Sequence, residues 1–260
     1  MEQNILQAYL MGRVPYQAAW DLQRALAKEV ATGDHPPTLL LLEHEPTYTF
    51  GRRGDAANLL WDEAELSQRG IEVHWVDRGG DVTFHGPGQL VGYPIMPIAA
   101  LDAVQPNQDG NPRVPQLNYV GYLRKLEDVL IRTLASFGIV SGQVPGLTGV
   151  WIQPNIASRC SVCPPEARTK PSKIASIGVK VDVKGISLHG FALNVNPDMS
   201  YWDGIIGCGL AGYPMICMAD LLRETLSIDA VTTAVISSFE AVFGCQIQLV
   251  TGQPDVGNFP

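Results

Sequence analysis

The sequence predicts an α+β fold: a single domain with a mixed, mainly antiparallel sheet flanked by helices. Strand-like and helix-like segments are interspersed without regular βαβ alternation, and Lys184-Gly185 joins two strand patterns as a hairpin turn would. The chain has 260 residues, 46% hydrophobic and 17% charged, enough to bury a full core without disulfides or a structural metal. No linker or repeat divides it, so we expect one domain over residues 1–260, with surface insertions at about 102–116 and 153–171.

The first elements are a helix and a buried strand. Apolar residues at helical spacing predict a helix over Tyr16–Val30, with Pro15 before its first turn. The leucine-rich run Thr38–Glu43 lies between prolines and has the length of a strand buried on both faces. A loop is expected next, carrying Thr49, Gly51, Arg52 and Arg53.

The middle of the chain is rich in glycine and proline. Ile71–Val76 alternates as a strand does, and the densest glycine segment, Arg78–Gln89, leads from it into a strand at Leu90–Ile95. Asp102–Gln116 contains many Pro, Asn and Gly residues, so it should form an exposed connection.

The second half predicts three helices and a hairpin. A helix over Tyr119–Phe137 should stop at Gly138. The two hairpin strands should span Ile174–Val183 and Ile186–Val195. Two further helical patterns lie near Met218–Thr225 and Ala230–Phe243.

Composition excludes several functional classes. A net charge of −8 and a pI near 5.1 argue against nucleic acid, whose phosphates need clustered Lys and Arg. The longest aliphatic run, Leu39–Leu42, is far too short to span a bilayer, and Met1–Asn4 does not begin a signal peptide. The five cysteines are an odd number, so we expect free thiols in a reducing, cytoplasmic setting.

The segment Arg78–Gln89 holds four glycines and a proline in twelve residues. Its backbone N–H groups can approach a ligand closely, and Arg78, Thr83 and His85 would supply polar contacts; the alternative is a simple tight turn. It has neither the spacing of a dinucleotide loop nor the Gly-Lys-Ser/Thr ending of a P-loop. The sequence therefore does not imply ATP.

Cys208 lies between Gly207 and Gly209, so neighbouring side chains do not crowd its thiol. As a thiolate it would attack a thioester carbonyl, with adjacent N–H groups near the oxyanion; the alternative is a buried structural cysteine. Lys173 opens a predicted strand, and an ammonium group beside a thiol favours the thiolate; the alternative is a solvated surface lysine.

The pair Cys160 and Cys163 is a C-x-x-C motif that suits half of a zinc site or a redox pair. No second pair is visible, so we predict no metal. The remaining thiols and the other histidines are expected to be packed or surface residues: Cys217, Cys245, His35, His44, His74 and His189.

Arg78–Gln89 resembles the signature of the lipoyl(octanoyl) transferases. Other blocks of the chain are similar to that family's blocks and occur in the same order: Leu41–Arg52, Gly149–Trp151, Lys173–Gly178 and His189–Val195. Together the blocks extend from about residue 38 to 210.

The resemblance implies a fold like that of the biotin and lipoate protein ligases. It assigns the acyl-carrying thiol to Cys208 and its partner amine to Lys173. It implies that acyl and pantetheine groups are bound by Arg78, Gly79, Gly80, Asp81, Val82, Thr83, Phe84, His85, Ser176, Ile177, Gly178, Gly190, Phe191 and Ala192.

The activity implied is octanoyl transfer without any cofactor. The donor would be octanoyl-acyl carrier protein, and the acceptors would be lysines of the lipoyl domains of 2-oxoacid dehydrogenases and of the glycine cleavage H protein. Two alternatives are an ATP-dependent lipoate or biotin ligase of the same fold, and a non-catalytic binding protein.

The chain departs from the family at two places. Gly207 stands where relatives usually have proline, which should give the backbone before Cys208 more freedom. The insertion at 153–171, which carries the C-x-x-C pair, is expected to form a mobile flap beside the site.

Overall fold

The structure is a computed structural model that describes residues 5–98 and 118–256; the predicted connection at 102–116 lies outside them. Within these ranges the strands are β1 Ile5–Val14, β2 Thr38–His44, β3 Thr47–Phe50, β4 Glu72–Trp75, β5 Thr83–His85, β6 Gln89–Ile95, β7 Gly142–Val144, β8 Leu147–Ile152, β9 Ser172–Val181, β10 Ser187–Asn194 and β11 Gln246–Val250. The α-helices there are α1 Tyr16–Thr32, α2 Glu63–Gln68, α3 Tyr119–Ser136, α4 Pro154–Ala157, α5 Met218–Leu222 and α6 Ile228–Phe243. None of these helices is both long enough and apolar enough to cross a membrane.

Most strands form one large sheet, in the order β11-β1-β2-β6-β10-β9-β8-β7. Strand β1 pairs in parallel with β2 and β11, and the other neighbours in this sheet pair antiparallel. Helix α1 packs on β6 and β10, and α3 packs on α6 and on β8 and β9. The predicted mixed, mainly antiparallel α+β fold is confirmed.

Strand β2 shows why the sheet is buried on both faces. Leu39 and Leu41 enter one hydrophobic cluster, shared with α3 and α6, while Leu40 and Leu42 enter the cluster under α1. Side chains of a strand alternate between its faces, so only a run of apolar residues fills both clusters. The predicted doubly buried strand is confirmed.

The hairpin of β9 and β10 also follows the sequence prediction. Gly185 has φ +81, and the Asp182 carboxylate accepts hydrogen bonds from the N–H groups of Lys184 and Ile186. A glycine suits this turn because an ordinary residue is strained at positive φ. The turn sets the register in which His189 lies opposite Val179.

The loop predicted after β2 was wrong for residues 47–50. These residues form β3, the middle strand of a small sheet ordered β4-β3-β5, and all four are buried. Tyr48 and Phe50 pack there with Val82, Phe84 and Trp202. A four-residue strand directly after Pro46 is too short to show its periodicity, so only tertiary packing reveals it.

The antiparallel pairing of β6 with β10 depends on a glycine, because Gly92 lies opposite Phe191. A Cβ on Gly92 would lie 2.2 Å from the Phe191 ring. Gly142 in β7 is a useful contrast, since a Cβ there would meet nothing within 4 Å and its φ is not positive.

We predict that Gly92→Ala lowers the free energy of unfolding by about 1–3 kcal/mol, because the Phe191 ring must move. Gly142→Ala, the matched control, should leave it unchanged or raise it by about 0.5 kcal/mol. Urea denaturation measures both. Equal effects of the two substitutions would contradict the packing described.

Candidate active site

Cys208 lies in a tight 3₁₀ turn, Gly207–Gly209, and has φ 58 and ψ 17. This left-handed conformation costs an ordinary residue about 1–2 kcal/mol, so surrounding contacts must hold it. The Cys208 N–H donates to the Val82 carbonyl at 2.7 Å. The side chain is half-buried.

Lys173 is the second residue of β9 and lies opposite Trp151 of β8. Its N–H donates to the Pro214 carbonyl at 2.8 Å, and its carbonyl accepts from the Ile216 N–H at 3.0 Å. The chain leaving Cys208 therefore returns to pair with the backbone of Lys173. This pairing ties the two residues together.

The side chain of Lys173 passes over Gly149. Gly149 has φ +116, and a Cβ there would lie 2.6 Å from both the Ala175 carbonyl oxygen and Lys173 Cε. The buried Glu127 carboxylate accepts the Gly149 N–H at 3.0 Å. Only glycine leaves room for the Lys173 side chain at this position, which explains why the Gly149–Trp151 block begins with glycine.

The two predicted residues meet: Lys173 Nζ donates to Cys208 Sγ at 3.2 Å. Ser176 Oγ lies 3.9 Å from the same sulfur, and Lys173 Nζ lies 5.2 Å from the centre of the Trp151 ring. Lys173 is only 4% exposed. A buried ammonium group beside a thiol favours the thiolate strongly, because little water screens the pair.

The charge balance lowers the pKa of Cys208. Burial alone raises the pKa of this thiol, but the Lys173 ammonium, its hydrogen bond, the Arg78 guanidinium and the Ser176 hydroxyl together hold it below its ordinary value. Burial raises the pKa of Cys217 and Cys245, which have no cation beside them among the causes of the shift. Of these thiols, Cys208 is therefore the most readily ionised.

Arg78 is the second cation near the sulfur and is 7% exposed. Its guanidinium donates to Thr49 Oγ1 at 2.9 Å, to the Thr49 carbonyl at 2.5 Å and to the Gly79 carbonyl at 2.9 Å. Burial lowers the pKa of Arg78, while Tyr16 and Cys208 raise it. Among the described residues it pairs with no carboxylate, so its charge is available to the site.

A cavity of about 680 Å³ opens at the pair, within the range of small-molecule sites. Predicted residues lining it are Arg78, Gly79, Gly80, Asp81, Thr83, His85, Lys173, Ser176, Ile177, Gly178, Gly190, Phe191, Ala192 and Cys208. Val82 and Phe84 lie elsewhere, contrary to the prediction, in the cluster under the small sheet. Alternate residues along β5 face opposite sides, so Thr83 and His85 reach the cavity and their neighbours do not.

Several lining residues escaped the sequence reasoning, among them Tyr16, Tyr93, Tyr119, Leu123, Leu147 and His189. Tyr16 and Leu123 lie on helices and Tyr93 on β6, far from any motif, so only the packing of these elements brings them together. His189 was expected to be a packed or surface residue, and its place as the first residue of the His189–Val195 block was the available signal.

His189 is 1% exposed and has the uncommon φ of 57. Its Nε2 lies 2.8 Å from an Asp77 oxygen, and Lys180 Nζ lies 2.5 Å from the other. The hydrogen bond from His189, followed by that from Lys180, lowers the pKa of Asp77 although burial opposes this. The network fixes the imidazole on the cavity wall.

A buried polar chain links the glycine-rich segment to Lys173. His85 Nδ1 lies 2.8 Å from Gln89 Oε1, and Gln89 Nε2 donates to Asn194 Oδ1 at 2.9 Å. Asn194 Nδ2 donates to the Ile216 carbonyl at 3.1 Å, and the Ile216 N–H donates to the Lys173 carbonyl. Burial lowers the pKa of His85 well below its ordinary value, so a neutral imidazole sits in this chain.

The expected N–H groups beside Cys208 are already engaged. Those of Cys208, Gly209 and Leu210 donate to the carbonyls of Val82, Ile206 and Gly207. These three groups therefore do not face an oxyanion in this turn, whereas within the described residues the Gly207 N–H donates to no acceptor. Positive charge at the sulfur comes instead from Lys173 and Arg78.

The expectation of free thiols was wrong for the C-x-x-C pair, because Cys160 and Cys163 form a disulfide. Both are buried in the core, with Ala157 and Ala167 of the same insertion. Cys160 Sγ also contacts the Asp220 carbonyl at 3.4 Å. The insertion therefore packs on α5 and the core rather than standing away as a flap.

By fold, the chain is similar to lipoate protein ligases. The bi-partite lipoate protein ligase of Thermoplasma acidophilum superposes with a TM-score of 0.63 at 16% identity, covering 95% of this chain and 88% of that one. A lipoate-protein ligase A bound with ATP superposes with a TM-score of 0.63 at 17% identity, covering 96% of this chain and 90% of that one.

Sequence comparison is more specific. Residues 15–240 match the lipoyl protein ligase A/B catalytic domain family. The octanoyltransferase of Rubrobacter xylanophilus is 42% identical over 90% of this chain and 92% of its own length, and that of Chloroflexus aurantiacus is 39% identical over 93% and 95%. The chain therefore belongs to the lipoyl protein ligase A/B family and, within it, to the lipoyl(octanoyl) transferases.

We predict that Lys173→Ala raises the pH midpoint of Cys208 alkylation by about one unit or more. Without the ammonium group, burial dominates and the thiol stays protonated to higher pH. The rate of iodoacetamide labelling, followed by peptide mass mapping across pH, measures the midpoint.

Lys170→Ala is the matched control, because Lys170 Nζ lies near the Tyr213 ring and not at the sulfur. It should leave the labelling profile unchanged. A Lys173→Ala midpoint equal to that of the unmodified chain would contradict the ion pair.

Proposed function

We propose that the protein transfers an octanoyl group from octanoyl-acyl carrier protein, through a thioester on Cys208, to a lysine amine of a lipoyl domain. The observation that carries this is the 3.2 Å contact between Lys173 Nζ and Cys208 Sγ at the wall of the cavity. The octanoyltransferase relatives support the acyl group transferred.

In the first step the Cys208 thiolate attacks the carbonyl carbon of the donor thioester. The new C–S bond forms, the bond to the phosphopantetheine sulfur breaks, and that sulfur leaves as a thiolate that takes up a proton. Lys173 and Arg78 stabilise the negative oxygen of the tetrahedral intermediate by their charge. One thioester replaces another, so the step is nearly neutral in energy.

In the second step the acceptor lysine, as a neutral amine, attacks the Cys208 thioester. An amide bond forms, the Cys208 sulfur leaves as a thiolate, and the amine loses a proton. Lys173 takes that proton if it has first given its own to the departing pantetheine thiolate, so its charge alternates between the two steps. Amide formation from a thioester is downhill and needs no ATP.

The partners proposed are octanoyl-acyl carrier protein as donor, and lipoyl domains of 2-oxoacid dehydrogenases and the glycine cleavage H protein as acceptors, in the cytoplasm. The chain has a net charge of −8 and would repel acidic partners, so their docking needs a local basic surface. We propose Arg52, Arg53, Lys180 and Lys184 for it. Arg52 and Arg53 are exposed, and Arg53 lines the cavity, while Lys180 is partly neutralised by Asp77.

We predict that incubation with octanoyl-acyl carrier protein adds one octanoyl group to the chain. Intact-mass analysis followed by peptide mapping should locate it at Cys208, and hydroxylamine should remove it, because thioesters are labile to this nucleophile. Cys208→Ser should abolish the labile adduct, and Cys217→Ser, the matched control, should keep it.

A labile adduct on another residue would overturn Cys208 as the carrier. Release of AMP from free octanoate and ATP, without any acyl-enzyme, would show a ligase instead.

We predict that Arg52→Glu slows acylation by about tenfold at low salt and less at high salt, because the docking charges are screened by ions. Lys28→Glu, at an exposed position of α1 that does not line the cavity, makes the same charge change and should have little effect. Stopped-time acylation assays at two ionic strengths measure this. Equal slowing by both variants would exclude a local docking patch.

A further inference from the structure

The Cys208 turn has no proline to stiffen it. Gly207 has no side chain, and within the described residues its N–H donates to no acceptor. Cys208 has a left-handed backbone conformation, and Gly209 follows with φ +66. Two glycines around a strained residue leave many conformations open, so contacts from outside the turn must select this one.

Those contacts come from the short 3₁₀ helix Ala56–Asn58. The Asn58 carbonyl accepts the Ile206 N–H at 2.8 Å, and Leu59 pairs with Ile205. These bonds fix the approach to the turn through the backbone. They do not depend on the Asn58 side chain.

The Asn58 side chain restrains the other side of the turn. Asn58 Nδ2 donates to Asp81 Oδ2 at 2.5 Å. That same carboxylate oxygen lies 2.6 Å from the point that a Cβ on Gly209 would occupy, and Asn58 Nδ2 lies 3.5 Å from it. Asp81 and Asn58 therefore pack directly against the residue after Cys208.

Asp81 is itself held firmly. Its Oδ1 accepts hydrogen bonds from the N–H groups of Asp55 at 3.1 Å and Val82 at 2.6 Å. The Val82 carbonyl in turn accepts the Cys208 N–H at 2.7 Å. One hydrogen-bonded unit thus contacts the residue before the turn, the nucleophile and the residue after it.

We propose that Asn58 is a positioning residue that, through Asp81, holds the Cys208 turn in the conformation that brings Sγ to Lys173 Nζ. This inference rests on the proposed role of Cys208 as acyl carrier. Asn58 touches neither the sulfur nor the acyl group in this role. Its effect is to increase the fraction of time that the Cys208 thiol spends beside the Lys173 ammonium group.

Asn58→Ala tests the role, because it removes the amide and keeps the backbone bonds. The single-turnover acylation rate at saturating donor should fall by about tenfold, since a displaced nucleophile reacts more slowly. The donor concentration for half-saturation should stay unchanged. The pH midpoint of Cys208 alkylation should rise, because the sulfur leaves the ammonium group more often.

Asn196→Ala is the matched control. Asn196 is also half-buried and donates one side-chain hydrogen bond, to the Leu226 carbonyl at 3.2 Å. Both variants should lose similar thermal stability, but only Asn58→Ala should shift the alkylation midpoint. An unshifted midpoint with an unchanged acylation rate would overturn the proposal, and so would equal effects of the two variants.

Gly207→Pro provides a rescue, since proline restricts the backbone before Cys208 by itself. Ile206 is extended, as a residue before proline should be. A Cβ at position 207 would lie 2.6 Å from the flexible end of Met215 and 3.0 Å from the Trp202 ring, so both side chains must shift slightly to admit proline. In a folded Asn58→Ala/Gly207→Pro chain the acylation rate should recover; a folded chain that stays slow would contradict the proposal. If the double variant does not fold, the single variant Asn58→Ala tests the proposal: a raised pH midpoint of Cys208 alkylation supports it, and an unshifted midpoint contradicts it.

The carrier role of Cys208 and the positioning role of Asn58 can be refuted independently. A Cys208 adduct in the unmodified chain with no effect of Asn58→Ala would refute the positioning role alone. Absence of that adduct would refute the carrier role, while the alkylation midpoint would still report how Asn58 positions the thiol.

Discussion

The contact between the Lys173 ammonium group and the Cys208 sulfur is the interaction on which the site depends. Burial alone would keep this thiol protonated, as it does for Cys217 and Cys245. A cation at 3.2 Å reverses that preference. The fold must therefore bury a lysine that, among the described residues, forms no ion pair with a carboxylate, and it must bring the glycine-flanked turn of Cys208 against this lysine.

Three parts of the fold meet this requirement. Strand β9 carries Lys173, and the chain after Cys208 pairs with it through Pro214 and Ile216. The glycine-rich segment contributes the Val82 carbonyl to the turn and the buried Arg78, whose guanidinium is held by Thr49 of β3. Gly149 leaves space for the lysine stem. The small sheet is thus part of the site, since it holds the second cation in place.

The sequence predicted the large elements well because their apolar patterns are long or flanked by clear turns. The doubly buried leucine strand, the hairpin at Gly185 and the helix before Gly138 are of this kind. Strands β1 and β3 and the edge strand β11 were missed. Strand β3 has only four residues, and β11 is largely exposed, so neither shows a distinct pattern.

The site was less accessible to sequence reasoning. Family resemblance, not residue pattern, joined Cys208 to Lys173 across the chain, and the structure brings them together. Val82 and Phe84 were misplaced because the glycine-rich segment contains a short strand whose alternation was not considered. Tyr16 and Tyr93 reach the cavity, and Asn58 reaches Asp81, from elements that are distant in the sequence. Such contacts are set by tertiary packing, which no local pattern encodes.

The most direct measurement is a titration of thiolate absorbance in the ultraviolet, taken as the difference between the unmodified chain and its Cys208→Ser variant. The difference isolates one sulfur from Cys217 and Cys245. The ion pair described here predicts a midpoint below that of an ordinary cysteine, about 8.5. A midpoint at or above that value would contradict it.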